Sequence, residues 1–162
     1  MRGIFETTYF IDAEHGPRNG FAKVAEAAAH YRTFKLTSSS IAKDFAMQTL
    51  GDYFANRRDQ EQVLVVVLDT KNRPLSIVRI TRGTLDASLL HPREVFRPAI
   101  CLAGSSIIVI HNHPSGDPTP SREDYEATMT LENAGKMLGI QVLDHIVVGD
   151  GEAVSIGQSR NR

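Results

Sequence analysis

A chain of 162 residues, 41% of them hydrophobic, is the length of one compact domain with an ordinary buried core. Its formal net charge of −1 and pI near 6.6 exclude a globally basic nucleic-acid binder, whose phosphate contacts require a clear excess of lysine and arginine. The single cysteine, Cys101, excludes an internal disulfide and any metal site built from several thiolates, and points to a reducing, cytoplasmic setting.

Residues 1 to 37 read as an N-terminal segment packed on the main domain: "GIFETTYFID" has strand composition, "GPRNG" is a turn and "FAKVAEAAAHYR" has helical composition. The opening "MRGIFETTYFIDAEHG" lacks the apolar stretch of a signal peptide, and apolar runs elsewhere are strand-sized, so no membrane partner is expected. A helix is predicted at about 39 to 56, N-capped from a serine cluster, with Ile41, Phe45, Leu50, Tyr53 and Phe54 facing the core. "QVLVVVLD" is a β-branched run that reads as a strand buried on both faces; "TKNRP" is a turn and "LSIVRITRGTL" the returning strand of a hairpin. "HPREVFRPAICLAG" begins as a helix with Pro92 in its first turn, and Pro98 is expected to kink or shorten it. "SSIIVIHNH" is a further strand. The helix "SREDYEATMTLENAGKMLG" follows, with Ala127, Leu131, Ala134 and Leu138 on its inner face and Gly139 as terminator. "IQVLDHIVVGDG" and "EAVSI" form a last strand pair about a Gly-Asp-Gly turn, and residues 158 to 162 are a tail. Interleaved strands and helices predict an α/β architecture around one mixed sheet.

The chemistry concentrates in "HNHPSGDPTPSRED". Alternate residues of a strand face one side, so His111 and His113 present both imidazoles to one point. Pro114, Gly116, Pro118 and Pro120 impose a stiff loop that returns the chain to a helix start at Ser121, whose first turn carries Asp124. Two imidazoles and a carboxylate are a standard ligand set for a tetrahedral divalent ion with water in the fourth position, and Zn2+ suits these donors. Such an ion brings the pKa of its bound water to about 7, and a nearby carboxylate can take the proton and deliver it to a leaving group. Ser121 and Asp124 equally match an S-x-x-D capping box, a structural role compatible with a site role. Asp117 in "SGDP" is a turn residue, and His145 in "LDHIVV" has a structural role or supports a ligand.

The spacing His111-x-His113, seven residues, Ser121, two residues, Asp124 matches the H-x-H-x7-S-x2-D motif of JAMM (MPN+) metalloproteases. With "VLDTKNRPL", "RGTLDASLLHPREVFRPAI", "HNHPSGDPTPS" and "VLDHIVVGDG", residues 38 to 157 resemble the RadC family. The resemblance implies a three-layer, cytidine-deaminase-like α/β domain with zinc on His111, His113 and Asp124. It further implies that Ser121 stabilises a tetrahedral intermediate and that Glu61, just ahead of "QVLVVVLD", is the general base, with Glu94 in "HPREVF" as competitor. The function so implied is a zinc-dependent peptidase or isopeptidase acting on a protein or peptide through a glutamate-activated, metal-bound water. The alternative, from the family's description, is a DNA-repair or mobile-element accessory protein that associates with nucleic acid, for which Arg57, Arg58, Arg79 and Arg82 would supply a basic patch. Typical members carry an N-terminal helix-hairpin-helix region, and residues 1 to 37 show no recognisable one. Nucleobase deamination is discarded, since its signature requires a cysteine pair.

Overall fold

The computed structural model describes residues 34–56, 58–82 and 90–159. The strand, turn and helix read in the first thirty-three residues, and the end of the returning strand beyond Arg82, lie outside the described residues.

Helix α1 (Ser39–Ala55) starts where the Ser38 hydroxyl accepts a hydrogen bond from the Ile41 amide, as the serine cluster predicted. Ala42, Phe45, Ala46, Leu50 and Phe54 form its buried stripe. Ile41, expected inward, is instead 37% exposed: it sits at the rim of that stripe, and the smaller Ala42 and Ala46 let the helix approach the sheet. Strand β1 (Gln62–Leu68) is buried at all seven positions, as its continuous apolar run required. It pairs antiparallel with β2 (Pro74–Arg82) through a turn in which Asp69 Oδ1 accepts from the amides of Lys71 and Arg73 and Asn72 takes φ 57°.

Helix α2 (Pro92–Cys101) is capped by His91, whose Nδ1 accepts from the Arg93 amide. Pro98 does not end it. The helix runs on to Cys101, because the missing N–H forfeits one bond near the last turn while the ring itself is buried. Strand β3 (Ser106–Asn112) leads to α3 (Arg122–Leu138), then to β4 (Gln141–Val148), β5 (Ala153–Ser155) and the short α4 (Ile156–Ser159). The inner face of α3 also differs from expectation at its end: Leu138 is 48% exposed, and Gly135 takes the packing position. A Cβ at Gly135 would meet the Ile140 carbonyl oxygen at 2.4 Å and the Phe96 ring at 3.2 Å, so only glycine permits that approach. Gly139 ends α3 at φ 70°, as predicted.

The sheet has the order β2-β1-β3-β4-β5; among the described residues only β3 and β4 are parallel, with α3 as their crossover. The pleat divides each strand between two cores. Leu64, Val66, Ile108, Ile110 and Ile146 pack with α1, while Val63, Val65, Val67, Ile107 and Val109 pack with residues of α2 and α3. The architecture is therefore the expected α/β fold, a mixed sheet between helices. His111 is in register with Val63 and His145 with Val109, which places both imidazoles on the α3 side.

Candidate metal centre

The site forms where β3 runs out and α3 begins. His111, the sixth residue of β3, is fully buried; His113 lies just past the strand, and its amide still donates to the Val148 carbonyl, extending the β3–β4 pairing by one bond. The loop 114–120 then turns sharply at Gly116, φ 83°, and packs onto Gly149, where a Cβ would lie 2.2 Å from the Gly116 carbonyl oxygen and 2.8 Å from Pro118 N. The Asp150 amide donates to that same carbonyl. At the far end of the loop Ser121 and Asp124 make the capping box: Ser121 Oγ accepts from the Asp124 amide (3.1 Å), and Asp124 Oδ2 accepts from both the Ser121 amide and its hydroxyl, each at 2.7 Å. The stiff loop thus delivers an aspartate whose carboxylate is already oriented.

Four groups converge there. His111 Nε2 lies 3.1 Å from His113 Nε2 and 3.1 Å from Asp124 Oδ1, and His113 Nε2 lies 3.3 Å from Asp124 Oδ2. Glu61 Oε1 is 3.9 Å from His111 Nε2, and ligand atoms of Glu61, His111 and His113 all fall within 4.8 Å of one another. Both carboxylates are within reach of an ion held by the imidazoles, Asp124 the nearer. Burial by itself would raise the Asp124 carboxyl, but hydrogen bonds to His111 and His113, with that from Ser121, outweigh it and hold the group far below the carboxylate range. The bond to Asp124 raises His113 above its ordinary value against the opposing effect of burial.

The donor chemistry fits a divalent cation. His113 Nδ1 is 2.8 Å from the Asp117 carbonyl oxygen, which can only accept, so Nδ1 carries the hydrogen and the neutral ring offers its Nε2 lone pair to the site. That lone pair faces a carboxylate, and a cation between them would be bound by both. Separations of 3.1 and 3.3 Å are close to the edge, ~3.4 Å, of a tetrahedron with metal–nitrogen bonds of about 2.0–2.1 Å.

Asp117 is the turn residue expected: its Oδ1 accepts from the Thr119 amide at 2.9 Å. Glu94 pairs with Arg93 and Arg97 beside it on α2, whereas Glu61 is at the histidines. Arg58 is ion-paired to Asp150 at 2.9 Å; Arg57 and the side chain of Arg82 lie outside the described residues. Sequence reasoning missed two supports. Asn112, facing away from the histidines, accepts from the Gln62 amide (2.9 Å) and donates to the Gln60 carbonyl (3.2 Å), clasping the stretch that carries Glu61. Thr128 contacts His145 Nδ1 at 2.7 Å, and His145 Nε2 lies 2.8 Å from His111 Nδ1. The strand alternation was the only signal for Asn112, and the four-residue spacing from Asp124 the only one for Thr128. A cleft of about 310 Å³ opens beside His113, with Gly51, Phe54, Arg58, Asn112, Gly149 and Asp150 in its wall.

Comparison with known proteins gives the family. The family model described as the RadC-like JAB domain matches residues 36–161. A UPF0758 protein of Clostridium beijerinckii is 40% identical over 147 residues, 88% of this chain and 63% of the relative. A second, of Caldanaerobacter subterraneus, is 55% identical over 97 residues, 60% of this chain and 42% of the relative. A third, of Trichlorobacter lovleyi, is 48% identical over 125 residues, 77% of this chain and 52% of the relative. The chain spans about half the length of these curated relatives. Among the described residues no helix is long and apolar enough to cross a membrane.

Proposed function

The chain belongs to the family of RadC-like JAB domains, and we propose that it is a zinc-dependent hydrolase of peptide or isopeptide bonds, with Glu61 as its general base. The observation that carries this reading is the convergence of two imidazoles and two carboxylates on one point at the end of β3. His111, His113 and Asp124 would hold the zinc ion, which would supply a Lewis acid for the scissile carbonyl and an acidified water.

The remaining work falls to the chain. Glu61, 16% exposed and set beside His111 by the Asn112 clasp, is placed to take a proton from the attacking water and pass it to the leaving nitrogen. Ser121 donates its hydroxyl hydrogen to Asp124 Oδ2; it can serve an oxyanion only by giving up that bond. The cleft beside His113 offers room for a protein or peptide segment, with Arg58 and Asp150 as polar contacts for its backbone.

The test is Glu61→Gln, which keeps the shape and removes the base. Zinc content should be unchanged while hydrolysis of a peptide or isopeptide substrate falls by about 10²–10⁴-fold. Full activity in a zinc-loaded Glu61→Gln protein would refute the assignment of the base.

A further inference from the structure

We infer that Thr128 and His145 are positioning residues that fix the tautomer of His111, so that its Nε2 lone pair is the one presented to the metal; the inference rests on the metal-site reading above. Four contacts form one chain: Asp124 carbonyl oxygen to Thr128 Oγ1 at 2.6 Å, Thr128 Oγ1 to His145 Nδ1 at 2.7 Å, His145 Nε2 to His111 Nδ1 at 2.8 Å, and His111 Nε2 to Asp124 Oδ1 at 3.1 Å. The chain begins on the backbone of Asp124 and ends on its side chain.

The direction of every hydrogen follows from the first contact. A carbonyl oxygen can only accept, so at 2.6 Å the single hydroxyl hydrogen of Thr128 belongs to the Asp124 carbonyl. Thr128 Oγ1 then has only lone pairs left, and His145 must donate to it from Nδ1. In a neutral ring, Nε2 of His145 is therefore the acceptor, and His111 must donate to it from Nδ1. His111 is left with an unprotonated Nε2 aimed at Asp124, His113 and Glu61. His113 reaches the same state through the Asp117 carbonyl.

Each imidazole is thus oriented by a backbone carbonyl, one directly and the other through two side chains. The relay is sealed. Thr128 is 2% exposed, His145 1% and His111 0%, so no solvent exchange partner competes for these hydrogens. A buried threonine in the middle of α3 and a buried histidine in the middle of β4 serve no packing need that an aliphatic residue would not meet; this geometry gives both a task. Without the hydroxyl, His145 is free to donate from Nε2, which forces the His111 hydrogen onto Nε2 and blocks the metal-binding atom.

The test uses the full chain, with ring nitrogens labelled with ¹⁵N, stripped of metal and held at a pH where both rings are neutral. Long-range ¹⁵N–¹H correlation spectra should show His111 and His145 both carrying hydrogen on Nδ1. Thr128→Val should move His111 toward the Nε2–H form and weaken zinc binding, measured by chelator competition, by about 10–100-fold. Thr128→Ser, which restores the hydroxyl, should recover both readouts. A wild-type His111 with hydrogen on Nε2 would overturn the inference, as would an unchanged tautomer and zinc affinity in a folded Thr128→Val protein. Wild-type protein that shows the Nδ1–H form yet binds no zinc would sustain the tautomer relay and refute the metal reading, so the two failures are distinguishable.

Discussion

Asp124 holds two imidazoles and a serine at once, and this sets how the site responds to pH. Its carboxyl is held far below the carboxylate range and stays ionised around neutrality, so it contributes no slope there. His113 responds in the other direction. The bond to Asp124 raises it above the ordinary 6.5, and a protonated ring cannot bind metal. On the proposed metal-site reading, zinc affinity should be full above the raised value and fall about tenfold per pH unit below it. The metal-free protein behaves in the opposite sense. A raised pKa means that the His113–Asp124 pair stabilises the fold fully below 6.5 and ceases to do so as pH rises through the folded-state value. The rise in Tm on adding zinc should accordingly grow as pH rises through the raised value of His113. A zinc effect independent of pH would show that His113 is not a ligand. His111, His113 and Asp124 were readable in the sequence because strand alternation and a loop of fixed length place them. Thr128 and Asn112 were not, since each acts by meeting a residue from another element.

Within the elements, the loop 114–120 and the end of β4 are a single unit. Gly149→Ala would set a methyl group 2.2 Å from the Gly116 carbonyl oxygen and 2.8 Å from Pro118 N, both in stiff backbone. The loop must move, taking with it the Asp117 carbonyl that orients His113. Zinc affinity should fall by about tenfold or more, the cost attached to losing a partner that orients a ligand. Leu50→Ala, in the α1 core on the other face of the sheet, should do the converse: a loss of about 2–5 kcal/mol in denaturant titration with zinc affinity retained. Equal effects of the two changes on zinc binding would deny that the loop is the coupled element. Elements were the most readable level of the sequence, and its misjudgements there share a cause. Ile41 and Leu138 were assigned from period, whereas close approach decided their places: the small Ala42, Ala46 and Gly135 bring helices near their neighbours.

For the molecule as a whole, the site lies at the carboxyl ends of the two parallel strands, β3 and β4, where α3 makes the crossover and where the start of the antiparallel β1 brings Glu61 alongside. That is where an α/β sheet leaves a crevice. The class of fold followed from interleaved periodicities. Strand order did not: nothing local in "QVLVVVLD" says that it lies between β2 and β3, because pairing is decided by which buried faces meet. The measurement that decides most is the metal content of the folded protein after zinc loading and exhaustive dialysis, beside His113→Ala treated identically. About one zinc per chain in the wild type, lost in the variant, is the predicted result. A folded wild type that retains none, or a variant that retains as much, would contradict the metal centre and the hydrolase built on it.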